Sequence, residues 1–301
     1  THRVRHLVYI SACYGPRQPR IRRPSRLIAV KRHLAGLNDI AWILDLDGVI
    51  WLADEPISGS ARAIELLDAQ DHQVLFVTNF SALTRRQAEL KLEGCGIKAA
   101  GRVLTSAMAA ASLVEPGENV IVCGGEGIVE AVKDRGATPL DPLQNSVPIT
   151  SIDAVIVGFH RDFNFDRLAA SAHALHNGAR LISTNNDPTY PTPHGLLPGN
   201  GSLTAAVSVA GKTEPIIAGK PHAPIANLVL ERLGLERGTP GNIVVGDLPA
   251  TDGLLAAELD FDFGLVLSGV TPADQVDTCD PSPDVVASDL KAMVEAALSS
   301  A

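Results

Sequence analysis

Asp45 and Asp47 stand two residues apart at the end of the apolar run Ala41-Trp42-Ile43-Leu44, with Gly48 directly after them. Such a run reads as a buried strand, and if its period of two persists the carboxylates face the same way. Like charges held that close need a cation or a proton between them. The glycine lets the chain turn sharply and lets a ligand come near the backbone. The trio suits a divalent metal, a nucleophilic carboxylate and an acid/base carboxylate in one small site. An Asp-x-Asp-Gly taken alone is more often a solvated turn.

Three more strand-like runs end in residues suited to phosphate chemistry. Residues 74–77 lead to Thr78 and Asn79, residues 216–218 to Gly219-Lys220-Pro221, and residues 243–245 to Gly246-Asp247. In open parallel α/β sheets ligands bind beyond the carboxyl ends of the strands, so positions 45 and 247 can meet at one edge. A carboxylate can attack phosphorus and split one hydrolysis into two easier steps. Mg²⁺ favours carboxylates together with phosphate oxygens. A lysine, a hydroxyl and backbone N–H groups can hold the equatorial oxygens. A second aspartate can protonate the leaving alkoxide and then deprotonate water.

The elements that must position these residues alternate between strand and helix. Residues 40–45 read as a strand, Ser58-Gly59-Ser60 as the cap of a helix to about residue 70, and residues 83–93 and 106–114 as further helices. The order implies a parallel sheet with helices on its faces. Residues 116–206 read as a second α/β unit, with strands at 120–122, 154–157 and 180–182 and helices at 128–135 and 165–176. The Pro- and Gly-rich stretch 188–201 reads as a long structured loop. After it the first pattern resumes with strands at 216–218, 243–245 and 265–267 and helices at 224–233 and 251–259, the strand at 265–267 closing the set.

The chain has 301 residues, enough for an α/β core and a second unit, and its apolar fraction of 46% marks a globular protein. No apolar run is long enough to cross a bilayer, so no membrane partner is expected. The four cysteines, Cys13, Cys95, Cys123 and Cys279, form no Cys-x-x-Cys pair, which points to reduced thiols and a cytoplasmic setting. Nine of the 25 basic residues precede the first acidic one, Asp39, leaving 16 against 34 acids in residues 39–301. An acidic body argues against a broad nucleic-acid surface. Residues 1–38, basic and interrupted by Pro16, Pro19 and Pro24, read as a poorly ordered extension.

The order Asp45-Leu-Asp47-Gly-Val, Thr78-Asn79, Gly-Lys220-Pro and Gly-Asp247-x3-Thr251-Asp252 resembles the haloacid dehalogenase superfamily, and within it the nitrophenylphosphatase/NagD-like branch. The resemblance covers residues 39–275. It implies a Rossmann-like parallel-sheet core, residues 39–115 and 207–301, with an α/β cap domain, residues 116–206, inserted in it. By the same resemblance Asp45 is the nucleophile and Asp47 the general acid/base. Asp45, Asp247 and Asp252 serve Mg²⁺ through or around their carboxylates, and Asp47 through its carbonyl. Thr78, Asn79 and Lys220 hold the phosphoryl group. Thr184-Asn185-Asn186-Asp187 and Gly199-Asn200-Gly201-Ser202-Leu203 are similar to cap segments of the branch. Asn185, Asp187 and His194 are the candidate substrate-selecting residues, on a cap whose closure would exclude water. The implied substrate is a small phosphorylated metabolite, and the cap is the candidate surface for a homodimer. Phe80, Leu248 and Ala250 depart from the branch pattern.

Other motifs carry less. Residues 206–213 have Ala206 where a P-loop needs its first glycine, and no Gly-x-Ser-x-Gly is present. Carbon–chlorine hydrolysis is disfavoured by Asp47, because halide departure needs no proton. A non-catalytic binding protein that keeps the fold is the remaining alternative, resting on Phe80, Leu248 and Ala250.

Overall fold

The computed structural model describes residues 40–53, 55–144, 147–192 and 195–299; segment 1–38 and His194 lie outside the described residues. A central sheet of six parallel strands runs in the order β15 (Val285–Ala287), β14 (Asp262–Val266), β13 (Ile243–Gly246), β1 (Ala41–Leu44), β4 (Gln73–Thr78) and β5 (Val103–Thr105). All four residues of β1 are buried. Ala41 and Ile43 enter the apolar cluster on one face of the sheet, and Trp42 and Leu44 that on the other. A strand covered on both faces needs such an unbroken apolar run. Helices α1 (Ser60–Asp68), α2 (Arg85–Gly94) and α9 (Leu290–Ser299) cover the Trp42 face. Helices α3 (Ser106–Ala111), α7 (Ala223–Leu233) and α8 (Leu254–Leu259) lie on the Ile43 face.

A second parallel sheet has the order β12 (Ile216–Ile217), β9 (Arg180–Ser183), β8 (Ala154–Val157), β6 (Asn119–Cys123) and β7 (Thr138–Leu140). Helix α4 (Glu126–Asp134) covers one face, and α5 (Phe165–His176) with α6 (Asn200–Gly211) the other. Helices α3 and α4 pack against each other. One apolar cluster therefore runs from Ile43, Val77 and Val244 through Ala110 and Ile128 to Val122 and Ile156. Two antiparallel hairpins, β2 (Trp51–Leu52) with β3 (Glu55–Pro56) and β10 (Thr189–Thr192) with β11 (Gly195–Pro198), complete the strands described. No described helix is long and apolar enough to cross a membrane.

The structure differs from the sequence reading in four places. The stretch 188–201 holds the β10–β11 hairpin, because a two-stranded ribbon is all edge and tolerates proline. Residues 216–217 pair with β9 and so join the second sheet, although the sequence reading assigned 207–301 to the core. The strand at 265–267 is followed by β15 and α9. Helix α1 begins at Ser60 after the N-cap residue Gly59, whose φ of 90° needs a glycine, and has no side-chain cap; Ser60 Oγ instead donates to Val49 O at 2.8 Å.

Candidate active site

The chain runs from β1 outward to β4 and β5, then returns to β13 on the other side of β1 and continues to β14 and β15. The strand order thus reverses between β1 and β13, where open parallel sheets form their ligand crevice. Register pairs Leu44 with both Val245 and Phe76, so Asp45, Thr78 and Asp247 all emerge at that edge. Asp45 N donates to Val245 O at 2.9 Å, carrying the pairing one residue past the strand.

Asp45, Asp247 and Asp252 offer carboxylate oxygens that all lie within 4.8 Å of one another. Lys220 Nζ bridges two of them, 2.8 Å from Asp45 Oδ1 and 2.6 Å from Asp252 Oδ1. The lysine reaches them from the segment after β12, so the second sheet, not the core sheet, delivers this cation. The ammonium is 3% exposed, and burial alone would make it a weaker base. Asp252 and Asp45 outweigh that and hold its pKa above the ordinary lysine value. Burial pushes the Asp45 carboxyl well above its usual range against the pull of Lys220, with Asp252, Asp247 and Asp47 adding repulsion. Burial, then Asp252, raise Asp247 from 3.8 to about 7. Three carboxylates sharing one ammonium are short of positive charge.

The backbone around Asp247 leaves its carboxylate one place to go. A Cβ at Gly48 or at Gly269 would collide with Asp247 Oδ2, and Gly48 also has a φ of 78°. Val270 N donates to Asp247 Oδ2 at 2.6 Å, and Thr271 Oγ1 donates to Asp247 O at 2.5 Å. Asp252 is buried in a wide turn, Pro249–Gly253, where Leu248 N donates to its Oδ2 at 3.2 Å. Leu248 thus serves the site through its backbone. The loop 268–271 was missed in the sequence, although a Ser-Gly-Val-Thr run just beyond a strand end is itself a signal.

Asp47 is placed differently from the period-two expectation. The strand ends at Leu44, and Leu46 O accepts from Ile50 N at 2.8 Å and Trp51 N at 3.2 Å, closing a turn. Asp47 is exposed, and its Oδ1 accepts the Trp51 indole N–H at 3.0 Å. Its carboxylate is outside the group formed by Asp45, Asp247 and Asp252. Two aspartates two residues apart therefore occupy two environments.

Thr78 Oγ1 accepts from Phe80 N at 3.0 Å, which leaves its own O–H to donate. Asn79 is a bracket: its Oδ1 accepts from Lys220 N at 2.8 Å, and its Nδ2 donates to Lys220 O at 3.2 Å and Asp187 Oδ2 at 3.3 Å. Asn79 O in turn accepts from Asn185 Nδ2 at 2.8 Å and Ser106 Oγ at 2.7 Å. Asn185 and Asp187 thereby join the site to the second sheet. Burial raises the Asp187 carboxyl, opposed by Asn79 and Lys220. Asn200, which sequence analysis noted only within a segment, is 2% exposed with its Nδ2 2.8 Å from Asn185 O and 2.9 Å from Ser183 Oγ.

A family model described as haloacid dehalogenase-like hydrolase matches residues 42–138, and a second, HAD-hydrolase-like one matches residues 217–293. The chain is 34% identical over 262 residues to an acid sugar phosphatase of Staphylococcus saprophyticus, covering 86% of this chain and 98% of that one. It is similar to the solved p-nitrophenyl phosphatase from Archaeoglobus fulgidus, with TM-score 0.78, 29% identity and coverage of 86% and 100%. A glycerol phosphate phosphatase from Mycobacterium tuberculosis, solved in complex with magnesium, gives TM-score 0.74 at 30% identity, covering 85% of this chain and 76% of that one. With these likenesses added to the carboxylates gathered where the strand order reverses, the chain belongs to the haloacid dehalogenase-like hydrolases, in their nitrophenylphosphatase-like branch of phosphatases.

Proposed function

We propose that the chain hydrolyses small-molecule phosphomonoesters, such as sugar phosphates or glycerol 3-phosphate, with Mg²⁺ as cofactor and an aspartyl phosphate on Asp45. The observation that carries this reading is the three-carboxylate group with Lys220 across Asp45 and Asp252. Its donors are all carboxylate oxygens with no sulfur or imidazole, which fits a hard cation such as Mg²⁺. Asp45 and Asp247, supported by Asp252, would hold that ion, whose charge would take the place of the protons that burial and the neighbouring carboxylates favour on Asp45 and Asp247. When bound, the ion offsets the negative charge of carboxylates and phosphate and polarises phosphoryl oxygens.

The chain's own groups would do the rest. Lys220 orients Asp45, and an oxygen of Asp45 attacks phosphorus as the bond to the leaving oxygen breaks. Asp47 gives its proton to that oxygen, releasing the alcohol. The resulting Asp47 carboxylate takes a proton from a water that attacks phosphorus, breaking the Asp45 oxygen–phosphorus bond and freeing phosphate. Thr78 and Asn79 would donate to the phosphoryl oxygens or fix the donors that do. Residues 116–217, including the second sheet, would form the unit over the site, with selectivity set by Asn185, Asp187 and the segment up to residue 197. The relatives named for sugar phosphates, glycerol phosphate and p-nitrophenyl phosphate support this substrate class.

The test is phosphate release from p-nitrophenyl phosphate with and without Mg²⁺. Asp45→Asn, which keeps shape but loses the nucleophile, is expected to lower turnover by about 10³-fold or more. Equal activity in the wild type and this variant would leave a binding protein built on a hydrolase fold.

A further inference from the structure

We propose that Trp51 is a positioning residue that aims the Asp47 carboxyl group for proton transfer, and that Lys91 fixes the indole which does so. The inference rests on the reading of Asp47 as general acid/base and adds a part to it. Trp51 is 4% exposed and packs in the apolar cluster on the Trp42 face of the core sheet. Packing explains an aromatic residue there but not the use of its N–H. Trp42 supplies the contrast, because it is fully buried and its Nε1 has no partner among the described residues. Trp51 Nε1 is instead directed at Asp47 Oδ1, 3.0 Å away.

The turn that brings the two together is closed by backbone bonds. Gly48 N donates to Trp51 O at 2.7 Å, and Trp51 N donates to Leu46 O at 3.2 Å. On the indole face, Lys91 Nζ of α2 lies 4.3 Å from the ring centroid and donates to Ala53 O at 3.4 Å. A cation over the ring attracts its electron density and strengthens the N–H as a donor.

An indole N–H can only donate. The oxygen it meets, Oδ1, accepts, and because the carbonyl oxygen of a carboxyl is the better acceptor this contact favours a proton of Asp47 on Oδ2. That biases the proton toward one oxygen, which serves transfer to a leaving group. Packing by Trp51 survives a Trp51→Phe change, whereas this role does not.

The experiment measures kcat/KM for Trp51→Phe across monoesters from p-nitrophenyl phosphate to glycerol 3-phosphate. An alkoxide needs protonation as it leaves, and p-nitrophenolate hardly does. Trp51→Phe is expected to lower kcat/KM for glycerol 3-phosphate about tenfold and for p-nitrophenyl phosphate less than about threefold. Inhibition by inorganic phosphate is expected to stay unchanged. An equal loss on both substrates, or no loss, overturns the proposal. Should Trp51→Phe not fold, Lys91→Met carries the test, with a smaller loss in the same leaving-group order expected and a flat profile overturning it. Asp47→Asn separates the two readings: full activity in that variant removes the acid/base role itself, whereas its inactivity beside a wild-type-like Trp51→Phe removes only the role of Trp51.

Discussion

Asp247 is clamped between Gly48 and Gly269, and its oxygen takes the Val270 N–H, so it cannot turn from Asp252 to relieve the repulsion between them. Burial, and next Asp252, raise its pKa from 3.8 to about 7. A carboxyl whose pKa rises on folding binds its proton more tightly in the native state. Its contribution to stability is full below 3.8 and is lost as the pH climbs through about 7. Metal-free protein should therefore melt at lower temperature at pH 8 than at pH 5. Mg²⁺ competes with that proton, so adding it should raise Tm more at pH 8 than at pH 5. Melts at the two pH values with and without Mg²⁺ check both statements, and equal Mg²⁺ shifts would rule these carboxylates out as its ligands. The clamp makes a second prediction. Gly269→Ala puts a methyl group into the Asp247 carboxylate, so the Mg²⁺ concentration for half-maximal activity should rise at least about tenfold while far-ultraviolet circular dichroism stays native. Unchanged Mg²⁺ dependence would show that the carboxylate has room to move.

At the scale of elements, Asn200 opens α6 and its amide ties the ends of two strands together, being 3.4 Å from Val157 O, 2.9 Å from Ser183 Oγ and 2.8 Å from Asn185 O. Asn200→Ala removes one donor from each of these buried acceptors, which keep their bonds to Thr184 N, Ser183 Oγ and Thr204 Oγ1, and should cost about 1–2 kcal/mol in urea unfolding. It should also lower kcat/KM, because Asn185 passes the support on to Asn79. A loss under about 0.5 kcal/mol would mean that water replaces the amide without penalty. Asn200 also marks where legibility in the sequence stops. Strands β1, β4 and β13 are near-continuous apolar runs closed by polar residues, so pattern alone finds them and the residues at their ends. Strand β12 has two residues, and nothing local says that its partner is β9 rather than a core strand. The partners of Asn200 are likewise set by β8 and β9, far from it in the chain. Asp47 shows a different limit: the strand period ends at Leu44, and the turn that follows aims its carboxylate at Trp51.

For the molecule as a whole, the decisive feature is that the two sheets share an apolar cluster through α3 and α4. The backbone beside them also meets: Gly127 N of α4 donates to Ala82 O, in the loop between β4 and α2, at 3.2 Å, and a Cβ at Gly125 would collide with Ala82. Buried contact of this kind couples the unfolding of its two sides, because exposing one face exposes the other. Ile128 lies at the centre of that seam, fully buried, with Cδ1 against Gly124 and Gly158. Ile128→Ala should cost about 2–5 kcal/mol, as large-to-small changes in tight cores do. Calorimetry should show one transition in the wild type, with van't Hoff and calorimetric enthalpies equal, and the same single transition at lower temperature in the variant. Two resolved transitions, only one of them moved by Ile128→Ala, would instead mean that the second sheet melts on its own. In that case the seam is a sliding contact, and motion of residues 116–217 over the carboxylates needs no loss of core. If one transition is found, the smaller parts, the β10–β11 hairpin and the loop from Ser268 to Thr271, can still open access to Asp45 without breaking the seam.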